Sequence, residues 1–168
     1  MRAVGDAERL LVLRRPRQAL RAAADCLNTL ACPGHAPPEE EEEAAAATEG
    51  ALTLPALLPL NGDDECTHER SGPPMAVLLQ ALCELGEPQL AAEAVHACYM
   101  DLACAPFEVI WLGAQALARH APEAAASFAA DWLAARPPPR TLTPERRQRL
   151  LRLLLLRLLP ASAARHFL

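Results

Sequence analysis

The densest group of side chains able to do chemistry is Asp63-Asp64-Glu65-Cys66-Thr67-His68-Glu69, which offers carboxylates, a thiol and an imidazole. A zinc site needs three or four such ligands in a set geometry. Cys66 and His68 stand only two apart, no second Cys–His pair has metal-site spacing, and no C-x-x-C occurs. The stretch therefore reads as a solvated acidic loop, and no metal is expected there. His96 and Cys98 supply a base and a nucleophile on one helix, but side chains at i and i+2 diverge, so Cys98 reads as core. His120 precedes Pro122 at a helix end, where the dipole favours a basic side chain.

The sequence contains no G-x-x-x-x-G-K-[ST], no G-x-G-x-x-G and no G-x-S-x-G, and its seven glycines leave little material for a phosphate cradle. No cofactor, nucleotide or small-molecule substrate is expected, and the chain reads as a non-enzyme. One basic group is worth naming as a site. Arg146, Arg147 and Arg149 open a helix, the end at which the macrodipole disfavours cations. Their placement makes them candidate contacts for an acidic protein partner or for the chain's own acidic stretch.

These residues must be carried by helices. The chain has 168 residues and is 52% hydrophobic, mostly Ala and Leu, with 4% aromatics and one isoleucine, Ile110. Ala and Leu are strong helix formers, and the side chains that suit strands are scarce. All 16 basic residues are Arg, a usage that GC-rich codons produce without any demand for anion recognition.

Proline marks the joints. It suits the first turn of a helix, where its missing N–H would be unpaired in any case. Pro16, Pro88, Pro106, Pro122 and Pro144 each open an apolar, helix-favouring run. The chain divides into a first hairpin over 1–31, an irregular, disordered insert rich in acid, Ala and Pro over 32–73, and a helical core over 74–168. The first hairpin and the core form one domain. Within it helices are expected from Asp6 to Arg14, Pro16 to Leu30, Pro74 to Gly86, Pro88 to Ala103, Pro106 to Arg119 and Pro122 to Ala135. Pro137-Pro138-Pro139 is a stiff break; Thr143 caps a helix running to Leu159, and Pro160 begins a short last one.

Pro88 and Pro122 lie 34 residues apart, each preceded by Gln-Ala-Leu, at Gln80-Ala81-Leu82 and Gln115-Ala116-Leu117. That period, with two short helices per unit, is the tetratricopeptide spacing. The expected fold is all-α: stacked antiparallel helical hairpins in a right-handed, tetratricopeptide-like array. Ala91, Ala94, Val95, Cys98 and Leu102 share one face of their helix. Trp111, Phe128 and Trp132 are expected in one core. The helix after Pro144 is apolar nearly all round, which predicts burial on several sides, with one face left for a partner as the alternative.

The net charge of −5 hides an asymmetry: residues 33–72 hold ten acids against Arg70 alone, while 137–168 hold seven Arg against Glu145. Overall acidity argues against nucleic acid, which needs clustered cations. The Glu39–Glu43 block repels itself and reads as linker. The start, Met1–Arg15, alternates charge with only four apolar residues in a row, so it is no signal peptide. The six cysteines are accordingly expected to be reduced thiols in the cytoplasm. The run Leu150–Leu159 is broken by Arg152 and Arg157 and falls short of the ~20 residues a spanning helix needs.

Three stretches carry a family likeness. They are Ala7-Glu8-Arg9-Leu10-Leu11 continuing to Gln18-Ala19-Leu20 and Cys26-Leu27, then Leu79-Gln80-Ala81-Leu82 before Gly86, then Pro106-Phe107-Glu108-Val109-Ile110 followed by Leu117, Phe128, Asp131, Trp132 and Leu133. In that order they resemble the cytosolic helical part of the peroxisome assembly protein 26 family, with its plant aberrant peroxisome morphology 9 branch. The resemblance implies a non-enzymatic adaptor at the cytosolic face of the peroxisomal membrane, recruiting an AAA ATPase complex for import-receptor recycling. Family members are tail-anchored, so membrane placement is expected only through an anchor outside this chain. The rival expectation is a helical scaffold or regulatory domain of a larger protein unrelated to peroxisomes.

Overall fold

The computed structural model describes residues 2–32, 54–60 and 65–155. Among them the chain is all-helical, with α1 (Arg2–Val12), α2 (Pro16–Ala31), α3 (Glu65–Glu84), α4 (Leu90–Cys98), α5 (Phe107–Ala118), α6 (Pro122–Ala134) and α7 (Pro144–Leu153), and a single 3-10 turn at Leu102–Cys104. The expected Pro160 helix and the Glu39–Glu43 linker lie outside the described residues.

Local chemistry sets most of the ends. Pro16, Pro122 and Pro144 occupy first-turn positions of α2, α6 and α7. Pro106 instead sits just outside α5 as its N-cap, with φ −59° and ψ 144°. Thr143 caps α7 by accepting the Arg146 N–H. At the end of α3, Gly86 adopts φ +79°, the Glu87 N–H reaches Leu82 O at 2.9 Å and the Gly86 N–H reaches Cys83 O at 3.1 Å. This is the paired closure of a left-handed helix stop. The same closure ends α1, with Arg15 N–H on Leu10 O and Arg14 N–H on Leu11 O, both 2.9 Å, but here the left-handed residue is Arg14 at φ 55°.

Four expectations need correction. Asp6 does not cap α1, which starts at Arg2 and carries Asp6 in its interior. The helix expected from Pro74 begins at Glu65, so Pro73 and Pro74 lie inside α3. An internal proline costs about 3 kcal/mol. Packing offsets that: Ser71 and Met75 on either side are fully buried, and the Ser71 and Tyr99 hydroxyls are hydrogen-bonded at 2.7 Å. The helix expected over Pro88–Ala103 is α4 alone, stopped where Tyr99 turns extended and buries its ring. Asp101 then accepts the Ala103 N–H at 2.9 Å and starts the 3-10 turn, so Leu102 leaves the α4 face.

The fourth correction touches only residues 54–60 and 65–73 of the expected insert, since 33–53 and 61–64 lie outside the described residues. Residues 54–60 form an extended strap laid across the helices. Asn28 on α2 donates its amide to Ala56 O at 2.9 Å and accepts the Leu58 N–H at 2.8 Å, and Leu60 N–H reaches Cys98 O at 2.8 Å. Leu60 is buried, and Leu54 and Leu57 pack on the same core.

Helix α3 occupies the middle, packed against α1, α2, α4 and α5, while α6 packs on α5. Its neighbours differ in kind. The buried face of α1 and α2 combines Ala7, Ala19, Ala23 and Ala24 with Leu11, Leu20 and Leu27 and holds no aromatic ring. Around α5 and α6 the core is aromatic: the Phe107 ring lies 6.0 Å from Trp111 and 6.1 Å from Trp132. Trp132 is fully buried and donates its indole N–H to Ala105 O at 3.2 Å.

Candidate functional site

The three arginines expected to meet a partner share the first turns of α7, yet they point to different tasks. At about 100° per residue, positions i and i+3 of a helix lie only about 60° apart, while i+1 lies about 100° round on the other side of i. Arg146 turns inward: its guanidinium reaches Glu108 Oε1 at 2.6 Å and Thr141 O at 3.1 Å, and lies 5.4 Å from the centre of the Phe107 ring. Arg149 lies 4.5 Å from the centre of the Trp111 ring. Each cation–π contact contributes about 0.5–1 kcal/mol at such exposure. That offsets the cost of about 0.3–1 kcal/mol for a cation at a helix start. Arg146 and Arg149 are thus buttresses that hold α7 against α5.

Arg147 is left on the open side, exposed. It lines a groove of ≈ 570 Å³ together with Pro139, Leu142, Leu151, Arg152 and Leu155. Leu150, Leu153 and Leu154 are buried beneath, whereas Leu151 is 38% and Leu155 60% exposed. The apolar circumference of α7 is therefore divided: one side belongs to the core, and the other faces solvent between two arginines. The expectation that α7 is buried on several sides does not hold for its described turns. Arg152 and Leu155 had a signal in the sequence. Arg147, Leu151 and Leu155 recur at i, i+4 and i+8, and Gln148 and Arg152 at i and i+4, which is one helical stripe.

A second cleft, ≈ 630 Å³, lies between α3, the start of α5 and the loop before α7, lined by Glu69, Pro73, Ala76, Pro106, Pro138 and Arg140 among others. Its rim carries both signs of charge, Glu69 and Glu108 against Arg140 and Arg146.

The groups considered for catalysis are separated. His96 is exposed, with its ring edge-on to Phe128 at 6.2 Å, while Cys98 is fully buried. Burial pushes the Cys98 thiol up to about 12, so it stays protonated and unreactive near neutral pH. Burial likewise raises the Tyr99 hydroxyl despite its bond to Ser71. Asp63 and Asp64 and the side chains of Glu65–His68 lie outside the described residues. Among those described, no three His, Cys, Asp or Glu side chains stand together as a metal site. Nor is any described helix long and apolar enough to cross a membrane.

Comparison of the chain with protein-family models, with curated proteins and with solved structures finds no match.

Proposed function

We propose that the chain is a non-enzymatic adaptor, a tetratricopeptide-like, right-handed stack of helical hairpins that offers the open side of α7 to another protein. The observation that carries this reading is the pairing of Leu151 and Leu155, 38% and 60% exposed, with Arg147 and Arg152 in one groove. An amphipathic helix with apolar side chains on one face and carboxylates beside them matches both the shape and the charge. The likeness to the peroxisome assembly protein 26 family supplies the partner class. An AAA ATPase complex would be recruited through this groove at the cytosolic face of the peroxisomal membrane, for recycling of the import receptor.

The test is a binding titration of the full chain against the purified peroxisomal AAA ATPase pair. Leu151→Asp combined with Leu155→Asp should weaken binding at least about tenfold, since interface anchors are commonly worth 2 kcal/mol or more. Helical circular dichroism should stay unchanged, because both side chains already face solvent. Equal affinity of the variant and the parent would remove the groove from the function, and no binding by the parent would remove the peroxisomal partner.

A further inference from the structure

The turn between α1 and α2 is a second, separate surface. The apolar run Leu10-Leu11-Val12-Leu13 splits at the end of α1. Leu11 is buried and Leu10 packs on the core, but Val12 is 82% and Leu13 57% exposed. Around them Arg9, Arg14, Arg15, Arg17 and Arg21 are all exposed. Residues 9–24 contain these five arginines and no carboxylate. Among the described residues, the one hydrogen bond of these five side chains runs from Arg15 to Gln18 Oε1 at 3.5 Å, and none of the five has an ion-pair partner. One of these cations, Arg14, holds a left-handed φ of 55° at a helix stop that glycine would fill without strain.

We propose that this apex docks on the surface of an anionic lipid bilayer. Two exposed apolar side chains stand at a hairpin turn whose flanking residues carry five exposed arginines. That arrangement suits the headgroup region, where apolar groups bury between the chains and arginines reach back to the phosphates. A rigid protein partner fits the geometry less well. Val12 is 82% exposed at the end of α1, and a rigid protein would need a pocket shaped for it, whereas a bilayer would not. Charge selects the lipid class, because each arginine near an anionic leaflet strengthens binding by about fivefold, and salt screens the effect. This contact needs no spanning helix and does not depend on the α7 groove.

The experiment is co-sedimentation of the full chain with vesicles of phosphatidylcholine and phosphatidylserine at about three to one, against pure phosphatidylcholine. Binding is expected on the anionic vesicles, weaker in salt, and lost by roughly tenfold or more when Arg15→Ala and Arg17→Ala are combined. Val12→Ser with Leu13→Ser should weaken it severalfold at unchanged helicity, and Leu13→Trp should strengthen it, since Trp favours the interface. No binding to the anionic vesicles, or equal binding to neutral ones, overturns the proposal. Binding that needs the arginines but ignores both apolar substitutions overturns it too, since the apex would then be held by charge alone with nothing docked among the lipid chains.

Discussion

The α1–α2 hairpin and the α5–α6 pair both bury a continuous face of small and aliphatic side chains, but only the second adds aromatic rings to it. The first buries Ala7, Ala19, Ala23 and Ala24 with Leu11, Leu20 and Leu27, while the second buries Ala114, Ala125 and Ala129 with Phe107, Phe128 and Trp132. Alanine lets two backbones approach closely and loses no side-chain entropy, yet each one buries little area. An aromatic ring buries 150–250 Å² and brings directional contacts with it. The alanine seam should therefore suffer most from added atoms, and the aromatic cluster from deleted ones. Gly113 is the exception that tightens the rule. A Cβ there would stand 2.8 Å from Phe128 Cε1, so close approach is required on the aromatic side as well.

The largest effect should come from deletion at the aromatic end. Trp132→Ala empties a fully buried site and leaves Ala105 O without the indole donor. The expected loss is about 3–5 kcal/mol, read from urea unfolding. A loss below about 1 kcal/mol would show that α6 is not packed as described. Next is addition at the alanine end: Ala23→Leu, at 0% exposure, should cost about 1–3 kcal/mol through overpacking against its neighbours. If it stabilised the chain instead, the seam would contain room, and the contrast between the two halves would fail. The smallest effect sits at the turn of the alanine hairpin. Arg14→Gly should raise stability by about 0.5–1 kcal/mol by relieving the left-handed strain, with a higher midpoint in the same titration.

The candidate site was legible in part. That a basic, leucine-rich helix begins at Thr143 follows from its cap, its proline and its composition. Which of its arginines faces outward does not follow, because Arg146 and Arg149 are directed by Glu108, Phe107 and Trp111, residues 35 or more positions upstream. Sequence pattern gives a stripe on a helix. It does not say which stripe the neighbouring helix takes.

What the sequence determined by itself are the features whose causes are local. Ala and Leu content makes the described chain helical, prolines at the first turns open α2, α6 and α7, and Gly86 closes α3 through its freedom at φ +79°. Only the tertiary structure decided the rest. Helix α3 runs through Pro73 and Pro74, residues 54–60 are pinned by Asn28 and Cys98, and α4 stops at Tyr99. In each case a local preference is outweighed by burial or by a hydrogen bond to a residue far along the chain. Those partners come within reach only when the helices are assembled.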